Sequence, residues 1–168
     1  RDRSPSRGLG DVYKRQDMNG IGKALTALGC VLLMGCSEGD DDFVAAGNEY
    51  VEQFHQDVRQ GRYAAIYQAS SPGLKANASE QEFVDLLTVV NRGLGEVQET
   101  RLVSQSPVKA DTGQPLTLLL YNTRFAEGEG TESFYLENAD GKPLLFRYNV
   151  NSDTLLKKMI EQGARASN

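Results

Sequence analysis

Residues 79–97 read SEQEFVDLLTVVNRGLGEV, and this stretch decides the fold because the hydrophobic period changes within it. Ser79 is followed three residues later by Glu82, which is the capping box that starts many helices. Apolar residues then recur at the spacing of one helix face, namely Phe83, Leu86, Leu87, Val90 and Leu94. Gly93 and Gly95 indicate the end of the helix. Beyond Gly95 apolar and polar residues alternate, so the sequence predicts a helix that leads into a sheet.

Two further helices are predicted before residue 79. An apolar stripe begins at Phe43 and continues to Val58, with acidic and amide side chains on the opposite face, until Gly61 supplies a stop signal. A short helix is predicted over residues 62–69, and the Ser-Pro-Gly sequence at 71–73 breaks it.

Four strands are predicted after Gly95, over residues 96–104, 116–126, 132–137 and 144–149. Turn-rich segments separate them: Gly128 and Gly130 fall in one, and the Asp140–Gly141 pair of another is typical of a tight hairpin. The predicted fold class is therefore α+β, with three N-terminal helices packed on a curved four-stranded antiparallel sheet. The domain is expected to span residues 48–156, followed by a C-terminal tail over 157–168.

The first 35 residues carry signals of processing rather than of folding. The hexapeptide at residues 11–16, DVYKRQ, resembles the translated end of a transposon-based sequencing adaptor, so residues 1–17 are interpreted as a non-native segment. Residues 18–35 then have a short region with Lys23 followed by a 12-residue apolar run, ALTALGCVLLMG. A run of this length suits a signal peptide and is too short to span a bilayer.

The end of that run resembles the bacterial lipoprotein box. Leu33 lies three residues before Cys36, and the small Gly35 directly precedes the cysteine. The resemblance implies that Cys36 is lipidated and becomes the first residue of the mature chain, with residues 36–47 as a polar tether. Three acyl chains exceed what stable membrane anchoring needs. With Ser37 rather than Asp in the next position, the expected location is the bacterial cell envelope, on the outer membrane facing the periplasm.

Composition excludes several classes of function. Six of the 18 basic residues and three of the 23 acidic residues precede Cys36, which leaves a net charge of −8 on residues 36–168. Such a surface repels nucleic acid. The chain has one histidine, and both cysteines fall at or before residue 36, so no metal site is expected in the domain. No cofactor motif is present, and the oligomeric state stays open.

The order of elements resembles the cone-shaped fold of the nuclear transport factor 2-like superfamily, and in particular small bacterial lipoproteins with domains of unknown function. The stretches that carry the resemblance are GRYAAIYQASSPGLK at 61–75, EQEFVDLLTVVNRGLGEVQETR at 80–101, and TLLLYNTRFAEGEGTESFYLENADGKPLLFRYNV at 117–150. The resemblance implies that any enzyme of this fold would use a carboxylate or histidine base with a tyrosine donor inside the mouth of the cone.

The best candidates for a ligand cavity are five tyrosines in the short helix and the strands: Tyr63, Tyr67, Tyr121, Tyr135 and Tyr148. Their rings and hydroxyls suit a small apolar ligand held by a few hydrogen bonds. The alternative is that they pack in the core with satisfied hydroxyls.

No catalytic residue is predicted. The one histidine, His55, is interpreted as lying on the flank of the first helix, so its removal is expected to cost much less stability than Leu87→Ala. Arg101, Arg124 and Arg147 either converge on an anion or form an exposed ladder opposite three strand carboxylates, Glu99, Glu132 and Glu137. The carboxylates judged able to turn inward are Asp57, Asp85 and Glu99, and none is expected to be enclosed beside a tyrosine hydroxyl.

The function predicted from these features is a non-catalytic, lipid-anchored envelope protein that binds a small apolar ligand or a protein partner. One alternative is a periplasmic isomerase or hydrolase of the same fold that uses a buried carboxylate. Another is a structural factor in envelope assembly. An open cavity of roughly 300 Å³ or more between the capped helix and the sheet would favour a ligand, and a sealed interior would favour assembly.

Overall fold

The helix that begins after Ser79 is the last helix before the sheet. A computed structural model describes residues 38–166, with side chains described for residues 42–165. The elements in chain order are α1 (Glu38–Arg59), α2 (Tyr63–Ala69), α3 (Pro72–Asn77), α4 (Glu80–Leu94), β1 (Val97–Lys109), β2 (Pro115–Phe125), β3 (Gly128–Ala139), β4 (Lys142–Asn151) and α5 (Asp153–Ala166).

The capping box at the start of α4 is confirmed. The Ser79 backbone N–H donates to Glu82 Oε2 at 2.8 Å, and the Glu82 N–H donates back to Ser79 Oγ at 3.3 Å. The helix ends where Gly95 adopts a φ of 76°, a conformation that suits glycine. Most of the predicted stripe is buried, but Leu86 at its edge is 39% exposed.

The number of helices before the sheet was predicted wrongly: within residues 38–166 four helices precede it, not three. Pro72 begins α3 instead of only ending α2, because proline fits the first turn of a helix and Ser71 caps it by accepting the Leu74 N–H. The helix α1 begins at Glu38, within the stretch expected to be a tether. Acidic residues at 38–42 favour a helix N-terminus electrostatically. The expected tail is largely helix α5.

The α+β class and the four-stranded antiparallel sheet are confirmed, with strand order β1-β2-β3-β4. Asp140 and Gly141 have φ values of 53° and 84°, as the tight hairpin prediction requires. Gly128 and Gly130 lie in β3 instead of in a turn. Their lack of a side chain serves close packing, since a Cβ on Gly128 would lie 2.6 Å from Thr154 Oγ1.

The core lies between the helices and one face of the sheet. Its main cluster joins Phe54 of α1 and Leu87 of α4 to Leu119, Phe134 and Leu136 of the central strands. A smaller cluster at one end joins α4 and β2 to α5 through Leu94, Phe125 and Leu155. Among the described residues, no helix has the length and apolar character to cross a membrane.

Candidate functional site

Among the residues with described side chains, one carboxylate, that of Glu132, is enclosed in the apolar core with 1% of its surface exposed. Three side chains hydrogen-bond to it. His55 Nε2 lies 3.0 Å from Glu132 Oε2, the Thr123 hydroxyl donates to the same oxygen at 2.5 Å, and the Tyr148 hydroxyl donates to Oε1 at 2.7 Å. These four residues, Glu132, His55, Thr123 and Tyr148, are called the buried polar cluster below.

Four elements bring the cluster together. On β2 Thr123 lies on the same core-facing side as Tyr121 and Phe125, and on β3 Glu132 lies on the same side as Phe134. Tyr148 lies opposite Phe134 in the register of β3 and β4. His55 comes from α1, where the ring packs edge-on against Phe134 with centroids 5.9 Å apart. The cluster therefore bridges the helix layer and the sheet.

The cluster holds Glu132 in its charged form. Burial raises the pKa of the Glu132 carboxyl, but the hydrogen bond and charge of His55, with the hydroxyls of Thr123 and Tyr148, lower that pKa by more. Burial and the neighbouring Glu132 charge raise the pKa of Tyr148 well above 10.0. A buried carboxylate needs such partners, because the loss of water is otherwise very costly.

The space beside the cluster is very small. A chamber of about 10 Å³, lined by His55, Glu132 and Tyr148 with apolar side chains around them, lies between α4 and the sheet. A chamber of this volume is at the lower limit for holding one water molecule. A substrate cannot approach Glu132 in this conformation.

Two sequence interpretations are wrong at this point. Glu132 is not a member of an exposed strand ladder, and His55, 8% exposed, does not lie on an open helix flank. A signal for Glu132 was present, because strand alternation places it on the same side as Phe134 and Leu136. No local signal connects it to His55, which lies 77 residues away.

The expectation for the three other carboxylates is confirmed. Asp85 and Glu99 are exposed, and Asp57 is half-buried, where it accepts hydrogen bonds from two neighbouring side chains, those of Gln53 and Arg62. Within residues 42–165, the hydrogen bonds that these three carboxylates accept come from residues other than tyrosine.

The five tyrosines do not line one common cavity. Tyr121 donates to Asn48 Oδ1, and burial, with the charges of Glu52 and Glu132, raises its pKa to about 12. Tyr67 donates to the carbonyl oxygen of Ala78 at 2.9 Å.

The remaining three tyrosines also lie in different surroundings. Tyr148 belongs to the buried polar cluster, and Tyr63 is half-buried at the edge of the main core. Tyr135 is half-buried on the other face of the sheet, with the Arg147 guanidinium 5.6 Å from its ring centre.

An open cleft lies between α3, α4 and the edge strand β4, with a volume of about 390 Å³. Its floor is apolar and is formed by the buried side chains of Leu74, Phe83 and Phe146. Tyr148 forms part of the wall, so the same residue borders both this cleft and the small chamber at Glu132.

The rim of the cleft includes four polar residues: Asn77, Glu82, Arg147 and Asn149. Glu82 is already engaged by Ser79 in the capping box. Arg147 is exposed, and its guanidinium lies 5.6 Å from the centre of the Tyr135 ring, on the face of the sheet away from the helices.

The three strand arginines do not converge. Arg101 and Arg124 border a polar depression of about 710 Å³, together with Glu99, Glu129 and Asp153. Arg124 pairs with Glu99 at 2.9 Å across β1 and β2, as the ladder interpretation predicts. Arg147 lies at the separate cleft beside β4.

Cys36 and the signals before it lie outside the described residues. Within residues 42–165, no group of three or more histidine, cysteine or acidic side chains is arranged to hold a metal ion. A comparison with protein-family models finds no matching family, and a comparison with curated proteins finds no similar sequence.

Proposed function

We propose that this chain is a non-catalytic, lipid-anchored protein of the bacterial cell envelope that binds a small, largely apolar ligand in the cleft between α3, α4 and β4. The observation that carries the proposal is the open cleft at the edge of the sheet, whose 390 Å³ lies within the range of small-molecule sites; the interior between α4 and the sheet, at about 10 Å³, is closed and by itself favours the assembly alternative. In small-molecule sites an apolar lining supplies most of the contact with the ligand and a few polar groups fix its orientation, and this cleft has an apolar floor and a polar rim.

The anchor and the fold family belong to the same proposal. Cys36 would carry the acyl chains and hold the domain on the outer membrane, facing the periplasm. The helices and the bent meander would form the cone of the nuclear transport factor 2-like superfamily. Three register shifts, two in the β1–β2 pairing and one in β3–β4, support the curvature that this cone needs.

The enzyme alternative receives less support from the geometry. Glu132 is a buried carboxylate beside a tyrosine and a histidine, which is the arrangement that an isomerase or hydrolase of this fold would use. However, its pKa is lowered, so it is a weak base, and the chamber of about 10 Å³ leaves no room for a substrate. The cluster is better explained as a structural connection between α1 and the sheet.

The chemistry of the rim narrows the class of ligand. Arg147 is the basic residue that borders the cleft, and the Glu82 carboxylate is engaged by the capping box, so we propose an anionic group on an alkyl chain as the ligand class. A medium-chain carboxylate such as decanoate is therefore the first probe.

Binding can be measured with a single introduced fluorophore, because the chain contains no tryptophan. Leu86 borders the cleft and is 39% exposed, so Leu86→Trp places a reporter at its mouth. Val103→Trp, on β1 and 49% exposed, is the matched control. Decanoate should shift and saturate the emission of the first variant of residues 37–168 and leave that of the second unchanged.

Arg147→Gln tests the headgroup assignment. This change should weaken decanoate binding about 1.5- to fivefold, the usual range for an exposed ion pair, while the affinity for decanol stays the same. If neither decanoate, decanol nor decylamine changes the Leu86→Trp emission, or if the Val103→Trp control responds equally, the cleft is not the ligand site.

A further inference from the structure

Exposed apolar side chains are concentrated on one side of the molecule. In the part of the chain with described side chains, six large apolar residues are exposed, and five of them lie on α4 and α5: Leu86, Val89, Leu156, Met159 and Ile160. Soluble domains rarely collect exposed apolar groups in this way unless another molecule covers them.

The main contribution comes from α5, which directs its apolar stripe away from the domain. Leu155 faces inward and is buried against Gly93 of α4. Leu156, Met159 and Ile160 are spaced as one helix face and are 58%, 51% and 63% exposed. Met159 also shares a surface groove with Val89, so the stripe continues onto α4.

The charged residues beside the stripe are arranged so that they could pair with those of a second copy of the chain. Lys157 and Glu161 lie four residues apart on the same edge of the stripe, and Met159 is midway between them. If two α5 helices pack antiparallel about a two-fold axis at Met159, Lys157 of each copy faces Glu161 of the other. Neither residue has an ion-pair partner among the described residues, whereas the neighbouring Lys158 is engaged by Glu127 and by the Gly93 carbonyl.

We propose that the α4–α5 face is the interface of a two-fold symmetric homodimer, in which the α5 helices pack antiparallel through Leu156, Met159 and Ile160. An isologous contact of this kind is the commonest arrangement of homo-oligomers. The interface residues Leu156, Met159 and Ile160 lie on α5, outside the ligand cleft that Leu86 borders, and the proposal does not depend on ligand binding.

A membrane is a less suitable occupant of this face. The N-terminus of α1, next to the proposed lipid at Cys36, lies at one end of a helix of 22 residues, roughly 33 Å long. Arg59 at the other end of that helix lies near Glu96, beside the segment of α4 that contacts α5. The apolar face therefore begins at the end of the domain that is distant from the anchor.

The test is thiol cross-linking of the full chain in the membranes of cells that express it. Met159→Cys places a thiol at the two-fold axis, and a short bismaleimide should convert a large fraction of the protein to a species of twice the monomer mass. Val103→Cys, equally exposed on β1, and the unaltered chain with its native Cys30 and Cys36 are the controls, and they should cross-link several-fold less. Ile160→Cys serves as a second variant at the same face.

Charge exchange then identifies the partner as a second copy. In the Met159→Cys chain, Lys157→Glu opposes two pairs of like charges and should lower the cross-linked fraction about three- to tenfold. Adding Glu161→Lys restores both pairs and should restore the dimer. Cross-linking no greater than in the Val103→Cys control, a product of any other mass, or a double exchange that fails to recover the dimer would overturn the proposal.

Discussion

Removing the His55 ring should destabilise the fold strongly, because it leaves Glu132 buried without its main partner. Breaking one side of a buried ion pair costs about 3–5 kcal/mol, since the remaining charge stays desolvated. In His55→Ala the hydroxyls of Thr123 and Tyr148 remain bound to Glu132, but the hydrogen bond from the imidazole to this buried carboxylate is lost. The expected loss at pH 7 is therefore about 3–5 kcal/mol, as large as the roughly 2–5 kcal/mol expected for Leu87→Ala.

The pH dependence separates this cause from a simple loss of packing. In the unaltered protein the pKa of Glu132 is below 4.5, so its contribution to stability is complete above pH 4.5 and is lost as the pH falls through the lowered pKa. Without His55, two of the causes that lower this pKa are lost, and we expect burial, the largest cause, to raise the folded-state pKa of Glu132 above its unfolded value. The His55→Ala variant should then gain stability as the pH falls from 7 to 5.

Urea unfolding of residues 37–168 at several pH values measures both effects. Leu87→Ala is the matched control, because it removes apolar contacts and leaves the buried polar cluster intact; its stability should follow the pH profile of the unaltered protein at a constant offset. A loss below about 1 kcal/mol for His55→Ala, or a stability that falls between pH 7 and pH 5, would refute the role assigned to the pair.

Three further predictions follow from single contacts. Tyr148→Phe removes a hydrogen-bond donor to Glu132, so it should cost about 1–3 kcal/mol and the loss of stability in acid should move to higher pH. The Tyr67 hydroxyl bonds only a carbonyl oxygen, so Tyr67→Phe should cost about 0.5–1.5 kcal/mol. Urea melts in which the two variants lose equal stability would contradict this order. Gly73→Ala should cost about 1–3 kcal/mol, because the new Cβ would lie 2.2 Å from Phe146 Cε2, and an unchanged urea midpoint would contradict that clash. Cys36→Ala should leave an uncleaved precursor that incorporates no radiolabelled palmitate, and normal processing of this variant would exclude the lipoprotein interpretation.

Local sequence signals predicted the elements that depend on neighbouring residues. The capping box at Ser79 and the Asp140–Gly141 turn are contacts within four residues, and both are present. The helix α3 was missed because proline can end one helix or begin the next. Whether Pro72 begins a helix depends on whether Ser71 caps the turn that follows it.

The site was harder to predict, because its parts meet only in the folded chain. Alternation gives the side of a strand on which Glu132 lies, but whether that side is covered at that position depends on α1. A glutamate on a buried face is uncommon unless it is paired, and the partner lies in a helix that the strand pattern does not describe. The cleft beside β4 likewise depends on how closely α3 and α4 approach the sheet.

The strand order β1-β2-β3-β4 has a kinetic consequence. Every pair in this sheet joins consecutive strands, and the turns after β2 and β3 contain two residues each, so the sheet needs only short loops to close. The pairing of His55 with Glu132 instead joins residues 77 positions apart. Closing so long a loop costs conformational entropy before the contact can form. Docking of α1 is therefore expected late on the folding route, after the hairpins. Substitutions at His55 should accelerate unfolding and leave the folding rate nearly unchanged, while substitutions in the β3–β4 hairpin should slow folding.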